Sequence, residues 1–204
     1  MRNDLAQIHD WIPEGARVLD LACGDGTLLA SLKETKQVFG YGLEIDPDNI
    51  SACVARGVNV IEQNVDDGLA NFADDTFDRV VMSQALQVLR RPDRALEEMM
   101  RVSHEAIITF PNFAYWRHRL HLGLKGRMPV SKSLPHAWYD TPNIHLSTFA
   151  DFERLCRAQG LKIIDRAVGN GDHEPHPAAT WWPNLFGEVA IFRVCRDNCP
   201  PDQR

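Results

Sequence analysis

Val18-Leu19-Asp20-Leu21-Ala22-Cys23-Gly24-Asp25-Gly26-Thr27-Leu28-Leu29 reads as an apolar strand that runs into a glycine turn and then into an amphipathic helix. A strand feeding a helix through glycines is a ligand-binding hinge. Gly24 and Gly26 lack a Cβ, so the backbone can take positive φ there and a ligand can come close, facing the free N–H groups at the start of the helix. A dinucleotide fingerprint would place Gly or Ala at the third small position of G-x-G-x-x-G, but counting from Gly24 that place holds Leu29. NAD is therefore disfavoured. No Lys-Ser or Lys-Thr follows the glycines, which excludes a phosphate-gripping P-loop.

Further along, Val38-Phe39-Gly40-Tyr41-Gly42-Leu43 forms a second buried-strand pattern and ends in Glu44. An acid at the tip of a second strand suits a ribose diol. Asp20-Leu21-Ala22-Cys23-Gly24-Asp25-Gly26 together with Gly42-Leu43-Glu44-Ile45-Asp46 resembles the S-adenosylmethionine (SAM) site of class I methyltransferases. The resemblance implies that the glycine turn meets the methionine part of SAM, or of its product S-adenosylhomocysteine, and that Glu44 holds both ribose hydroxyls. Ala22 stands where that family usually has glycine, and alanine suits the position only if its φ is negative.

The rest of the chain alternates between helix and strand patterns. Leu5, Ile8, Trp11 and Ile12 have helical spacing before Pro13-Glu14-Gly15. Asp46-Pro47 supplies an N-cap and a first-turn proline for a helix ending near Gly57. Val58 to Gln63 is expected as strand three, Phe77 to Met82 as strand four, Pro92 to Val102 as a helix and Ala106 to Phe110 as strand five. Thr148 with Asp151 caps a helix running to Gly160, followed by strand six from Leu161 to Val168 and a last strand from Gly187 to Val194. This alternation marks an α/β, doubly wound, mostly parallel sheet. The methyltransferase resemblance implies seven strands with the last entering antiparallel. Residues 1–196 then form a single domain with a lid-like insertion at 111–146 after strand five, and 197–204 a disordered tail.

The remaining cofactor positions follow from the same resemblance. An acceptor for the adenine amino group falls on Asn64, next to Val65, with Asp66 as the alternative. Ser83, Gln84 and Leu86 fall in the segment lining the methionine end. The full set is thus Asp20, Ala22, Cys23, Gly24, Asp25, Gly26, Glu44, Ile45, Asn64, Val65, Asp66, Ser83, Gln84 and Leu86.

The 204 residues, 44% hydrophobic, are ordinary for one globular domain. A net charge of −6 and a pI near 5.7 argue against general nucleic-acid or anionic-membrane binding. Met1-Arg2-Asn3-Asp4 opens no apolar leader and no run is long enough for a membrane span, so a cytoplasmic protein with reduced thiols is expected.

Pro111 to His145 is unusually aromatic and basic, with Phe113, Tyr115, Trp116, Arg117, Arg119, Lys125, Arg127, Trp138 and Tyr139 preceding or flanking its first acid, Asp140. A stretch this long between regular elements is commonly a lid or binding element, and aromatics with arginine are enriched at protein interfaces. Alternatively, Trp116 and Leu120 pack an extra helix on the sheet. Phe110-Pro111-Asn112-Phe113, Tyr115-Trp116-Arg117, Lys125 to Ser131, Trp138 to His145, Ser83 to Gln87 and Trp182-Pro183-Asn184-Leu185 are together similar to the bacterial methionine biosynthesis MetW family. That resemblance implies an accessory role beside homoserine O-acyltransferase, with Trp116, Arg117, Arg127 and Trp138 as candidate partner contacts. The alternative is an active methyltransferase on an unidentified acceptor, with Tyr115, His118 and Tyr139 as acceptor-pocket candidates. SAM is already activated, so such an enzyme needs little beyond placement of the acceptor. His118 with His121, and Asp172-His173-Glu174-Pro175-His176, lack the context of a metal motif, and no metal site is expected.

Overall fold

The computed structural model describes residues 3–169 and 177–196. The elements run α1 (Asn3–Trp11), β1 (Arg17–Leu21), α2 (Thr27–Lys36), β2 (Phe39–Glu44), α3 (Pro47–Ala55), β3 (Asn59–Glu62), β4 (Phe77–Ser83), α4 (Pro92–Val102), β5 (Ser103–Pro111), α5 (Trp116–Lys125), α6 (Phe149–Ala158), β6 (Leu161–Gly169), α7 (Pro177–Trp181), α8 (Pro183–Phe186) and β7 (Val189–Arg196). One seven-stranded sheet has the order β3-β2-β1-β4-β5-β7-β6. β7 lies antiparallel to both β5 and β6, and the other neighbours are parallel.

Alternation along the strands sends side chains to two cores. On one face Leu19, Leu21, Val80, Met82, Ala106, Ile108, Phe110 and Phe192 meet Leu96, Met99 and Met100 of α4 and Phe149, Phe152 and Cys156 of α6. On the other, Val18, Val81 and Ile107 meet Ile8 and Ile12 from the N-terminal stretch and Leu28, Leu29 and Leu32 of α2. Each such side chain contributes about 1.5–3 kcal/mol on burial, so α2 is held down chiefly by its three leucines. The caps read from the sequence are present: Asp46 accepts from the Asp48 N–H at 2.9 Å and Thr148 Oγ1 from the Asp151 N–H at 3.1 Å.

β7 begins at Val189, two residues later than the sequence pattern indicates, and runs to Arg196. Gly187 instead closes α8, its N–H donating to the Pro183 carbonyl at 2.8 Å, and a Cβ there would lie 2.6 Å from that oxygen. After β5 the chain forms α5, and residues 126–148 then have no helix or strand. The Asp172–His176 cluster and the tail 197–204 lie outside the described residues.

Candidate functional site

The strand order reverses between β1 and β4, where consecutive connections leave toward opposite edges of the sheet. In open α/β sheets ligands bind outside the carboxyl ends of the strands at such a point. A cavity of about 310 Å³ lies there, lined by Leu5, Asp20, Ala22, Cys23, Gly24, Asp25, Thr27, Leu28 and Ser83. That volume sits at the lower end of small-molecule sites.

The backbone at the two strand ends is bent sharply. Gly24 and Gly26 have φ of 56° and 74°. Ala22 also takes positive φ, at 54°, which overturns the expectation that alanine would sit there only with φ negative. The bend is imposed by the next residue: the Cys23 N–H donates to the Leu43 carbonyl at 3.0 Å, extending the β1–β2 ladder past the strand. The left-handed alanine costs about 1–2 kcal/mol. Gln84, just beyond β4, has φ 59°. Strained non-glycine residues on neighbouring strand ends are typical of ligand sites.

Glu44 is 7% exposed and holds the turn from β2. Its Oε2 accepts from the Gly24 N–H at 2.8 Å, and its Oε1 accepts from Ile45 N–H at 2.7 Å and Asp46 N–H at 3.1 Å. Asp25 is pinned on the other side: Oδ1 accepts from the Thr27 N–H at 3.1 Å and Oδ2 pairs with Arg56 at 2.9 Å. The Thr27 bond first, with Arg56 adding to it, holds the Asp25 carboxyl below the usual carboxylate range despite partial desolvation.

The cavity therefore gathers Asp20, Ala22, Cys23, Gly24, Asp25 and Ser83 from the sequence-derived set. Glu44 reaches it through the Gly24 amide, and Ile45 beside it is 58% exposed. Asn64 Oδ1 accepts from the Asp66 N–H at 3.0 Å, capping a single 3₁₀ turn over Val65–Asp67, and Asp66 Oδ1 accepts from the Arg90 N–H at 2.9 Å. Both adenine candidates thus have local duties. Leu86 and Val65 are not cavity residues; they lie in the core on the α4 face, because the chain after each strand turns inward in a 3₁₀ turn. Leu5, Thr27 and Leu28 complete the wall. The spacing of Leu5 signalled burial, but nothing in the sequence placed it above the β1 turn.

None of the residues from 111 to 145 lines this cavity. His118 is buried, with Nε2 3.0 Å from Ser131 Oγ and its ring against Tyr115, whereas Tyr139 is 75% exposed beside Trp138. Burial pushes the His118 imidazole below its usual range. Trp116 is 37% exposed, with the Arg117 guanidinium 5.4 Å from its ring centre, and Leu120 and Leu124 are 50% and 77% exposed. Trp116 and Leu120 therefore do not pack an inner helix on the sheet. Trp138 and Arg127 are also exposed. Among the described residues no group of three or more His, Cys, Asp and Glu is placed to hold a metal, and no helix is long and apolar enough to cross a membrane.

The sheet order and the antiparallel last strand give the fold of class I methyltransferases. Solved structures share this fold: a SAM-dependent methyltransferase from Mesorhizobium loti superposes with TM-score 0.68 at 17% identity over 94% of this chain and 96% of that one. A methyltransferase in complex with the Trm112 activator from Haloferax volcanii gives 0.64 at 20% identity over 97% and 90%. The [4+2]-cyclase SpnF gives 0.63 at 19% over 93% and 80%, so this fold also carries other chemistry. The chain belongs to the family of the methionine biosynthesis protein MetW, whose model matches residues 2–194. It is 34% identical over 204 aligned residues to the bifunctional methionine biosynthesis protein MetXA/MetW of Rhodopirellula baltica, covering 96% of this chain and 33% of that protein. It thus spans about a third of that relative's length.

Proposed function

We propose that the protein binds SAM or S-adenosylhomocysteine over the Asp20–Gly26 turn and acts as an accessory subunit of homoserine O-acyltransferase. The observation that carries the partner role is the outer ridge of α5. Trp116, Leu120 and Leu124 follow one another at four-residue spacing, so they share a helix face, and all three are exposed. Around them the segment from Pro111 to His145 holds five Lys and Arg against Asp140 alone, a net +4, which leaves −10 on the rest of a chain of net −6. An apolar ridge in a net-cationic segment of an otherwise acidic protein fits a partner surface that is apolar and carries acidic groups.

The MetXA/MetW relative supports the choice of partner, since its name joins two activities in one polypeptide. We read MetXA as the homoserine acyltransferase. A covalent tether raises effective concentration, a gain that matters for parts that act together. SAM lies downstream of methionine, so a SAM-binding subunit on the committing enzyme gives a physical route to feedback. Methyl transfer to a separate acceptor is the second reading; among the described residues no His or Tyr lines the cavity, so such an enzyme would work by placing the acceptor in line with the activated methyl group.

The test incubates the pure protein with methyl-labelled SAM and cell extract, with and without homoserine O-acyltransferase, while acyltransferase rate and co-purification are followed. Stable co-purification with a changed acyltransferase rate and no label transfer is the expected result. Label arriving on a defined small molecule or macromolecule, with the acyltransferase unaffected, would establish the enzyme instead.

A further inference from the structure

Two thiols meet beneath the glycine turn. Cys23 belongs to the turn and lines the cavity, and Cys53 lies fully buried on α3. Their sulfurs are 3.8 Å apart. Both face the same backbone atom: Cys53 Sγ–H donates to the Gly24 carbonyl at 3.2 Å, and Cys23 Sγ lies 3.7 Å from it. Two glycines leave the space for the sulfurs. A Cβ on Gly42 would lie 2.4 Å from Cys23 Sγ, and one on Gly26 would lie 2.8 Å from Cys53 Sγ. The turn is therefore gripped twice, with the Gly24 N–H on Glu44 and its carbonyl on the thiol pair.

We propose that Cys23 and Cys53 form a reversible disulfide under peroxide and that this bond switches off ligand binding at the turn. The inference rests on the SAM reading of the cavity for its consequence, though not for the bond itself. A disulfide needs sulfurs about 2.0 Å apart, so the pair must close by about 1.8 Å. Cys23, on the cavity wall, meets the oxidant first. Its thiolate attacks a peroxide oxygen, the O–O bond breaks, and the sulfur becomes a sulfenic acid as one water leaves. The Cys53 sulfur then attacks the Cys23 sulfur, giving up its proton, and the sulfenic hydroxyl departs as a second water. The two thiols lose two electrons and two protons in all, and hydrogen peroxide takes them up as two waters. A dithiol reductant reverses the bond by exchange.

Closure removes the S–H donors from the Gly24 carbonyl and draws the turn toward α3 while Glu44 still holds the Gly24 amide. The cavity wall formed by Cys23, Gly24 and Asp25 cannot stay in place under both pulls. Burial pushes both thiols above the usual range, and Asp20 and Glu44 add to this at Cys23, so thiolate is scarce and oxidation is slow at neutral pH. A ligand seated in the cavity covers Cys23 and slows it further.

The full chain is treated with hydrogen peroxide, remaining thiols are alkylated without reduction, and peptides are mapped by mass spectrometry. SAM affinity is measured by calorimetry before oxidation, after it, and after dithiothreitol. The expected result is a Cys23–Cys53 linked peptide pair two hydrogens lighter, formed more slowly with SAM present, and an affinity weakened at least tenfold that dithiothreitol restores. In Cys53→Ser the linked pair cannot form, and the tenfold loss seen in the parent should be absent while Cys23 carries at most a sulfenic acid. Absence of the linked pair overturns the proposal, and so does a linked protein that binds SAM as the reduced one does. If the reduced protein binds no SAM, the SAM reading and the switch fall together, while the peptide map still decides whether the bond forms.

Discussion

Replacing Glu44 by alanine removes an acceptor from three backbone amides at once: Gly24 at 2.8 Å, Ile45 at 2.7 Å and Asp46 at 3.1 Å. Hydrogen bonds to a charged acceptor contribute about 1.5–3 kcal/mol each when the partner is left behind unsatisfied. At 7% exposure water reaches the vacated site poorly, but removing a buried carboxylate also recovers part of its own desolvation cost. Counting the two shorter bonds and subtracting that recovery gives a loss of about 2–4 kcal/mol. For a chain of 204 residues this lowers Tm by roughly 5–15 °C. Glu44→Gln keeps one oxygen acceptor and should lose about half as much. A ribose diol on the same carboxylate adds a separate effect, a loss of about 2 kcal/mol in SAM binding, or roughly thirtyfold. The assay pairs melting curves with calorimetric titration well below both transitions, so that unfolding is not mistaken for lost affinity. A Glu44→Ala protein that melts with the parent would refute the turn-holding role. One that stays folded and binds SAM with the parent's affinity would remove Glu44 from the ligand site.

Because Trp116 is partly exposed, Trp116→Ala should cost about 1 kcal/mol of stability, well short of the 3–5 expected for a core aromatic, yet weaken acyltransferase binding by about 2 kcal/mol or more. Unchanged co-purification and activation by both Trp116→Ala and Arg117→Ala would remove α5 from the interface. Asn64→Asp keeps the cap on Asp66 and adds a charge, so it should tighten SAM binding; equal or weaker binding, with the larger loss in Asp66→Ala, would assign the adenine to Asp66. Asp25, held below its ordinary value near 3.8, stabilises the native state above that pH and loses the contribution as pH falls through its lower folded value. Denaturation midpoints measured between about pH 2 and 5 should therefore fall less steeply for Asp25→Asn than for the parent, and identical slopes would count against the Thr27 and Arg56 pinning.

The fold was readable because the parallel strands are short, largely apolar runs, α3, α4 and α6 each begin at a capping side chain or a proline, and the two patterns alternate. Pro92–Val102 is bounded as its pattern indicates. The places that resisted reading are those where partners lie far apart in sequence. Ala22 was expected at negative φ, since only the bond from Cys23 to Leu43, twenty residues on, forces the bend. Leu86 reads as a site residue by position along the chain, but the 3₁₀ turn at Leu86–Val88 carries it into the core. Leu5 enters the cavity wall from a helix whose spacing reports only that one face is buried.

The least legible feature is a buried line of charge across the sheet. Arg193 interrupts the apolar run of β7, and Glu105 stands one residue before the apolar run of β5; alone, each looks misplaced at 6% and 5% exposure. Strand order explains both. With β7 inserted antiparallel between β5 and β6, Arg193 Nε comes 2.6 Å from Glu105 Oε2 and its Nη1 3.2 Å from Asp165 on β6. On the other side, Arg79 of β4 reaches the same Glu105 oxygen at 3.0 Å. Glu105 is thus flanked by two guanidiniums, which meets the condition for burying a carboxylate, and Arg193 is shared between two acids. Such a line is weak evidence for net stability, since apolar residues of similar volume could do as well, but removing Glu105, the acid that both guanidiniums share, leaves two largely buried cations with one partner fewer and is destabilising. Its effect is on topology: a parallel β7, or one placed at the edge beyond β6, would bury Arg193 without both acids. The charged residues that look out of place in the strands therefore select the antiparallel insertion that the apolar pattern alone leaves undetermined.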